Sequence, residues 1–278
     1  MVRNDLIGRL FNLQGRTALI TGGGTGLGLI ITETLATAGA DVIIISRKEN
    51  NINKTITKIQ STKPKGCITG IVSDLSQENE ILELVSKVKD ITDSVDILVN
   101  NSGTSWGSKL GNFPYSAWNK VFSINVNGLF HLTQNLLPLL EKNAKTEKPS
   151  KILNIGSVMG SSPYSDGAYS YSASKAAVHH LTRILAKELS VKKITVNAFA
   201  PGPFPSKMTN FALNSEQKRH SVANSVPLGR IGSYDDIAAA TLLICGQGGN
   251  YITGAIIPID GGIHISTGPE LFADSKML

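Results

Sequence analysis

Residues 21–28 read Thr21-Gly22-Gly23-Gly24-Thr25-Gly26-Leu27-Gly28, and the segments on either side decide how that stretch is understood. Upstream, Thr17–Thr21 is a short strand-like run; downstream, residues 26–38 carry a helix-like pattern. Small residues in such a turn let the backbone approach an anion closely, while the following helix offers free N–H groups and the positive end of its dipole. Three glycines in a row also describe a flexible loop. The strand before and the helix after are what point to a dinucleotide pyrophosphate. Gly22, Thr25, Gly26, Leu27 and Gly28 are therefore candidate cofactor-binding positions.

Working outward, the same alternation continues. Strand-like runs occupy Thr17–Thr21, Asp41–Ser46, Cys67–Val72, Asp96–Val99, Lys151–Ile155, Lys193–Phe199 and Ala255–Ile259, with helix-like stretches near 26–38, 50–61, 77–90, 117–142, 169–190 and 235–245. The unbroken apolar run Val42-Ile43-Ile44-Ile45 reads as a strand covered on both faces. Strands alternating with helices predict an α/β protein: a Rossmann fold with a doubly wound, seven-stranded parallel sheet and helices on both faces. No linker, repeat or low-complexity tract interrupts the chain. One domain over residues 1–278 is expected, with a core from about 15 to 262, a short N-terminal extension and a C-terminal tail. Ligands of such sheets sit beyond the C-terminal strand ends, where the strand order switches.

The second run ends Ile45-Ser46-Arg47-Lys48. An acidic residue there would bind the adenosine ribose and repel a 2′-phosphate. This chain offers a hydroxyl and two cations instead, and Arg47 can fork onto a phosphate. Ser46, Arg47 and Lys48 thus favour NADP over NAD, the alternative being ordinary surface basicity. After the third run, Asp74 and Leu75 join the cofactor-binding candidates. Asp74 either hydrogen-bonds an adenine amino group or caps the helix starting near Gln77.

The fifth run leads into Asn154-Ile155-Gly156-Ser157, and a later helix carries Tyr171-Ser172-Ala173-Ser174-Lys175. Tyr171 and Lys175, four apart, share a helix face. A lysine ammonium beside a phenol favours the phenolate and lowers its pKa, giving an acid usable near neutral pH. A serine hydroxyl at the neighbouring strand end can hold a substrate oxygen as charge develops.

With these segments in order, the chain resembles the short-chain dehydrogenase/reductase family from about Gly15 to Gly262, in its 3-oxoacyl reductase-like or carbonyl reductase-like branch. Thr21–Gly28 resembles the family's glycine turn, and Asn100-Asn101-Ser102-Gly103 its next motif, with Ser102 where alanine is usual. The resemblance implies that Asn125, Ser157, Tyr171 and Lys175 are catalytic. Tyr171 would protonate the carbonyl oxygen, Lys175 would tune Tyr171 and bind the nicotinamide ribose, Asn125 would link Lys175 to solvent through water, and Ser157 would position the carbonyl. Asn101, Gly103, Tyr171, Lys175, Pro201, Gly202, Phe204 and Ser206 would also contact NADPH or NADP+, Ser206 standing where threonine is usual. Gly156 replaces a second serine found in many members.

Composition limits the remaining possibilities. The chain has 278 residues, 41% of them hydrophobic, enough for a substantial core. Net charge is +6, yet the basic residues are scattered and not interleaved with aromatics, which argues against nucleic acid. No apolar run approaches the roughly 18 residues of a membrane span, and Met1–Phe11 is too mixed for a signal core. Cytoplasmic location is the expectation. Cys67 and Cys245 read as isolated thiols, and no cluster has metal-ligand spacing. The segments Pro203–Phe211 and Met159–Tyr164 are expected to shape the substrate pocket. Phe204, Met208 and Phe211 suit a lipophilic ketone or simply pack a lid, and Trp106 borders the pocket or anchors its loop. His179-His180 read as structural or interfacial. The long helices are expected, by resemblance, to pair in a homotetramer or homodimer. The function expected is reversible hydride transfer between NADP(H) and a ketone or secondary alcohol. An NAD-linked alcohol or polyol dehydrogenase is the alternative, and a catalytically silent cofactor-binding sensor a remote one.

Overall fold

In the computed structural model, which describes residues 5–164 and 167–266, strands and helices alternate along the chain. The strands are β1 (Thr17–Thr21), β2 (Asp41–Ser46), β3 (Ile68–Val72), β4 (Ile97–Asn100), β5 (Ser150–Ile155), β6 (Ile194–Pro201) and β7 (Ile256–Ile259). A short α1 (Leu6–Phe11) precedes β1. The crossover helices are α2 (Gly26–Thr37), α3 (Glu49–Ser61), α4 (Glu78–Ile91), α5 (Tyr115–Phe122), α6 (Leu129–Glu141) and α7 (Tyr169–Leu189). Between β6 and β7 come α8 (Asn210–Leu213), α9 (Glu216–Asn224) and α10 (Tyr234–Cys245). All seven strands are parallel, in the order β3-β2-β1-β4-β5-β6-β7. The doubly wound sheet expected from the alternation is the one observed.

Why β2 is apolar throughout is now visible. Its side chains alternate between two cores. Val42 and Ile44 pack with Ile31 and Leu35 of α2 and with Ile237 and Ile244 of α10. Ile43 and Ile45 pack with Ile81 and Leu84 of α4, Leu132 and Leu136 of α6, and Leu185 of α7. Each fully buried isoleucine contributes roughly 1.5–3 kcal/mol of transfer free energy, so a polar residue at any of the four would weaken one layer.

Polar side chains inside the sheet are paired across it. Asn100 Nδ2 donates to Thr133 Oγ1 of α6 at 3.1 Å and to Asn154 Oδ1 at 2.9 Å. Asn154 Nδ2 in turn donates to Thr182 Oγ1 of α7 at 2.9 Å. This chain ties α6, β4, β5 and α7 together directly beneath the C-terminal strand ends.

The stretch predicted as one helix near 117–142 is divided. Between α5 and α6, Ser123–Gly128 forms a π-helical turn. Widening a helix by one residue per turn re-aims the side chains that follow, a device common at functional sites. Here it encloses Asn125, which is 1% exposed. Among the described residues, no helix is long and apolar enough to cross a membrane, and no group of three or more His, Cys, Asp or Glu is placed to hold a metal ion. The expected C-terminal tail falls mostly in residues 267–278, outside the described part.

Candidate active site

The switch in strand order lies between β1 and β4, and the chain builds its cavity there. Thr21 at the end of β1 cross-links the two strands: its Oγ1 accepts from the N–H groups of Asn101 and Ser102, each at 2.9 Å. Asn101 returns the contact, its Nδ2 donating to Thr21 O at 2.9 Å and Gly22 O at 3.1 Å. Gly22 has φ 65°, a conformation side chains rarely tolerate. Gly28, at the start of α2, is needed for a different reason: a Cβ there would lie 2.2 Å from Gly22 O. Gly28 therefore lets the helix close on the turn.

The cavity measures about 400 Å³ and runs from Arg47 and Lys48 past the glycine turn to Ser157, Tyr171 and Lys175. Gly22, Thr25, Gly26, Leu27, Ser46, Asp74, Leu75, Asn101, Gly103, Pro201, Gly202, Phe204 and Ser206 line it as well. Arg47 Nη1 stands 3.6 Å from Asp74 Oδ2, a loose, exposed pair that leaves the guanidinium free for an anion. Asp74 does not cap α4. Its Oδ1 accepts from Ser76 N–H at 3.0 Å and Ser76 Oγ at 2.8 Å, because α4 starts one residue later with Gln77 in the cap position. Burial works to raise the Asp74 carboxyl, but Ser76, then Arg47, outweigh it and hold it below the usual range.

At the other end, Ser157 leaves β5 and faces Tyr171 across the same cavity, close enough to act on the phenol's pKa. Lys175 is 5% exposed, and its Nζ donates to Ile155 O at 2.6 Å. It lies 5.7 Å from the centre of the Tyr171 ring. The expected lowering of the Tyr171 pKa by Lys175 is not what this arrangement produces. Burial pushes the Tyr171 phenol up, and the Ser157 hydroxyl only partly offsets it. Burial also pushes Lys175 down to about 8. Removing both groups from water dominates, and the ammonium is aimed at a carbonyl.

Asn125 stands behind this end and does not line the cavity. Its Oδ1 accepts from Thr104 N–H at 2.8 Å, and its Nδ2 donates to Thr104 O at 3.0 Å and Ser174 Oγ at 2.9 Å. It clamps the loop after β4 against α7. A Cβ on Gly103 would lie 3.2 Å from Asn125 Oδ1 and 3.7 Å from Lys175 Nζ, so Gly103 separates the two.

The segment after β6 folds over the glycine turn. Ser206 and Thr209 exchange hydrogen bonds, and Thr209 Oγ1 donates to Phe204 O at 2.6 Å. Of its apolar side chains, Phe204 is 4% exposed and belongs to the core beneath Gly232, lining the cavity only from inside. Met208 lines the cavity, and Phe211 is 76% exposed. Trp106 is outside the lining and packs under Lys120, whose Nζ is 5.1 Å from its ring centre. His180 is exposed, whereas His179 is buried.

Two lining residues, Asn51 and Ser73, carried no sequence signal and reach the site only through folding. Lys207 and Thr209 line the cavity from the segment 203–211 expected to shape the pocket, and Ile124 lines it from beside Asn125. Ser102 and Gly156, noted above as departures, line it too.

Comparison with known proteins gives the same class. The profile of the short chain dehydrogenase family matches residues 16–217, and the chain belongs to that family. It is 44% identical over 255 residues to the rhamnolipids biosynthesis 3-oxoacyl-[acyl-carrier-protein] reductase of Pseudomonas aeruginosa, covering 92% of this chain and 98% of the relative. A 2-dehydro-3-deoxy-D-gluconate 5-dehydrogenase of Bacillus subtilis is 34% identical, over 91% and 96% of the two chains. Among solved structures, a Pseudomonas aeruginosa RhlG/NADP active-site complex superposes with a TM-score of 0.88 at 43% identity, covering 92% of this chain and 99% of the other.

Proposed function

We propose that this oxidoreductase is an NADPH-dependent carbonyl reductase acting on a lipophilic 3-oxoacyl group. The observation that carries the reading is one cavity with the Ser157 and Tyr171 hydroxyls at one end and, at the other, the cations Arg47 and Lys48, of which Arg47 is only loosely paired with Asp74. The reductase name of the Pseudomonas aeruginosa relative and the NADP of the RhlG/NADP complex support it. The fit to a dinucleotide rests on the chain's own cradle: the open turn at Gly22 and the free N-terminus of α2 suit a pyrophosphate, and Arg47 with Lys48 and Ser46 suits a 2′-phosphate.

The bound dinucleotide would supply the hydride that reduces the carbonyl carbon. Ser157 would hold the carbonyl oxygen by hydrogen bonding as negative charge grows on it. Tyr171 would give that oxygen its hydroxyl proton, and the raised phenol pKa keeps the proton in place until the oxygen becomes basic. Lys175 would hold the ribose hydroxyls and steady the phenolate left behind, and Asn125 would keep Lys175 and the loop after β4 in register. The lid around Met208 would cover the acyl part. Exposed Leu82, Phe130 and Ile184 on α4, α6 and α7 suit pairing with further copies as a homodimer or homotetramer.

The NAD-linked polyol dehydrogenase reading requires a different end to β2. Both readings are separated by following the loss of NADPH or NADH absorbance with ethyl acetoacetate, a longer 3-oxoacyl thioester, a sugar ketone and a bulky aryl ketone. Turnover with NADPH and rising kcat/KM with acyl length is expected. Equal or better use of NADH overturns the cofactor assignment, and preference for the sugar ketone overturns the substrate class. Tyr171→Phe should leave NADPH binding nearly intact while lowering kcat by about 10²–10⁴-fold; wild-type kcat in that variant would remove Tyr171 from the chemistry.

A further inference from the structure

One buried titratable side chain touches the site and has no part in the reaction just proposed. Along α7, Tyr171, Lys175 and His179 follow at intervals of four, so His179 continues the same stripe one turn deeper. Its ring is 3% exposed and fills a slot between two glycines. A Cβ on Gly156 would lie 2.3 Å from His179 Nε2 and 2.8 Å from Phe199 O. A Cβ on Gly160 would lie 2.8 Å from His179 Cε1 and 2.7 Å from the carbonyl carbon of Lys175. The ring fits because neither position has a side chain.

Both ring nitrogens meet the segment that carries Ser157. The Ser157 N–H points at Nε2 over 3.4 Å, and Nδ1 faces Ser161 Oγ at 3.3 Å. An N–H can only be received by a bare nitrogen, so the ring is neutral with its proton on Nδ1, directed at Ser161 Oγ. Burial, then the charges of Lys175 and Arg183, pushes His179 down to about 4, so that form persists through neutral pH. The segment 157–161 is thereby held at both ends by one rigid ring, while Ser157 Oγ accepts from Met159 N–H at 3.2 Å within it.

We propose that His179 is a positioning residue: seated in the gap left by Gly156 and Gly160, it fixes the Ser157 backbone so that the Ser157 hydroxyl meets Tyr171 and the substrate oxygen. This rests on the role given to Ser157 under the proposed function. Gly156 and His179 are then the two halves of one steric exchange: the side chain absent at 156 makes room for the ring at 179.

The test uses the ketone of the panel that the wild type reduces fastest, with NADPH binding measured in parallel by nucleotide fluorescence. His179→Leu fills the slot without an acceptor; His179→Gln restores an acceptor at the ε position. Leu should lower kcat about ten- to a hundredfold, the size of effect that small misplacements produce, with the NADPH Kd unchanged. Gln should recover most of the loss. In a Ser157→Ala background, His179→Leu should cost nothing further, because both act through one hydroxyl. An equal loss in both backgrounds, or a weakened NADPH Kd alongside the fall in kcat, overturns the proposal. A harmless His179→Leu with a damaging Ser157→Ala overturns it alone, whereas a harmless Ser157→Ala overturns the underlying reading of Ser157. A second pair guards against variants that fail to fold. Gly156→Ser and His179→Ala should each lower kcat and their combination should recover it; a combination worse than either single variant refutes the exchange.

Discussion

At the scale of single residues, the site is governed by desolvation more than by charge pairing. Lys175 and Tyr171 are both shifted against their charged forms, because an enclosed ion loses more from leaving water than a neighbour at this distance returns. The pH dependence follows. The proposed reduction uses Tyr171 in its protonated form, which its raised phenol pKa favours through the neutral range. Lys175 is charged below about 8 and loses its proton above it. The kcat/KM for NADPH, which reports groups of the free enzyme, should be level from pH 6 to about 8 and fall beyond. A profile level to pH 10 would separate Lys175 from the chemistry. Arg47 is a different case, exposed and only loosely paired with Asp74. Arg47→Asp should raise the KM for NADPH at least about tenfold by removing a charge-assisted contact, and leave NADH nearly unchanged. An equal rise for both nucleotides would mean that Arg47 shapes the loop without reading the phosphate.

At the scale of elements, the π-turn Ser123–Gly128 sets how α5 and α6 present themselves to the site. Gly128 has helical backbone angles, so intrinsic propensity alone would make Gly128→Ala a gain of roughly 0.5–1 kcal/mol. Its surroundings reverse the sign. The added Cβ would lie 2.2 Å from the Leu75 carbonyl oxygen, a backbone atom that can retreat only by moving the β3–α4 connection, and overpacking of this kind costs roughly 1–3 kcal/mol. Gly128→Ala is therefore expected to lower Tm by about 2–8 °C, and to weaken NADPH binding through displaced Leu75. A Tm raised by the substitution would show that the turn has room to spare. How little of this is legible in sequence is instructive: residues 117–142 carry one helical pattern, and nothing local distinguishes a π-turn from an α-turn. The reverse holds for β2, whose four consecutive apolar residues already imply two covered faces.

At the scale of the whole molecule, binding and stability are built at opposite ends of the sheet. The cavity lies beyond the C-terminal strand ends. At the other end Arg16 Nη1 meets Asp96 Oδ1 at 3.2 Å and Pro149 O at 3.4 Å, and Asp96 Oδ2 accepts from Thr17 N–H at 2.9 Å. This buried group joins the starts of β1, β4 and β5. Asp96→Ala would leave Arg16 buried and uncompensated, a loss of about 3–5 kcal/mol. A lower denaturation midpoint with unchanged NADPH Kd in the folded protein is expected; an unchanged midpoint would mean that water replaces the carboxylate.

The glycine turn, the seven runs and the four-residue spacing of Tyr171 and Lys175 were readable without any structure, because each depends on neighbours within one element. Ser157, Tyr171 and Lys175 meet where the sheet order predicted, since a parallel doubly wound sheet leaves one end for ligands. Other features depend on contacts made beyond a single element, and only the fold decided them. Gly28 serves the turn because Gly22 O comes within reach. Phe204 turns inward because Gly232 leaves it space. Asp74 finds Ser76 and Arg47 in place of a helix end. His179 finds Gly156, twenty-three residues earlier in the chain. Most telling is Tyr171: its spacing from Lys175 suggested a lowered pKa, yet the packed walls around it raise the value. Spacing along a helix is fixed locally, while exclusion of water is a property of everything that closes over the group.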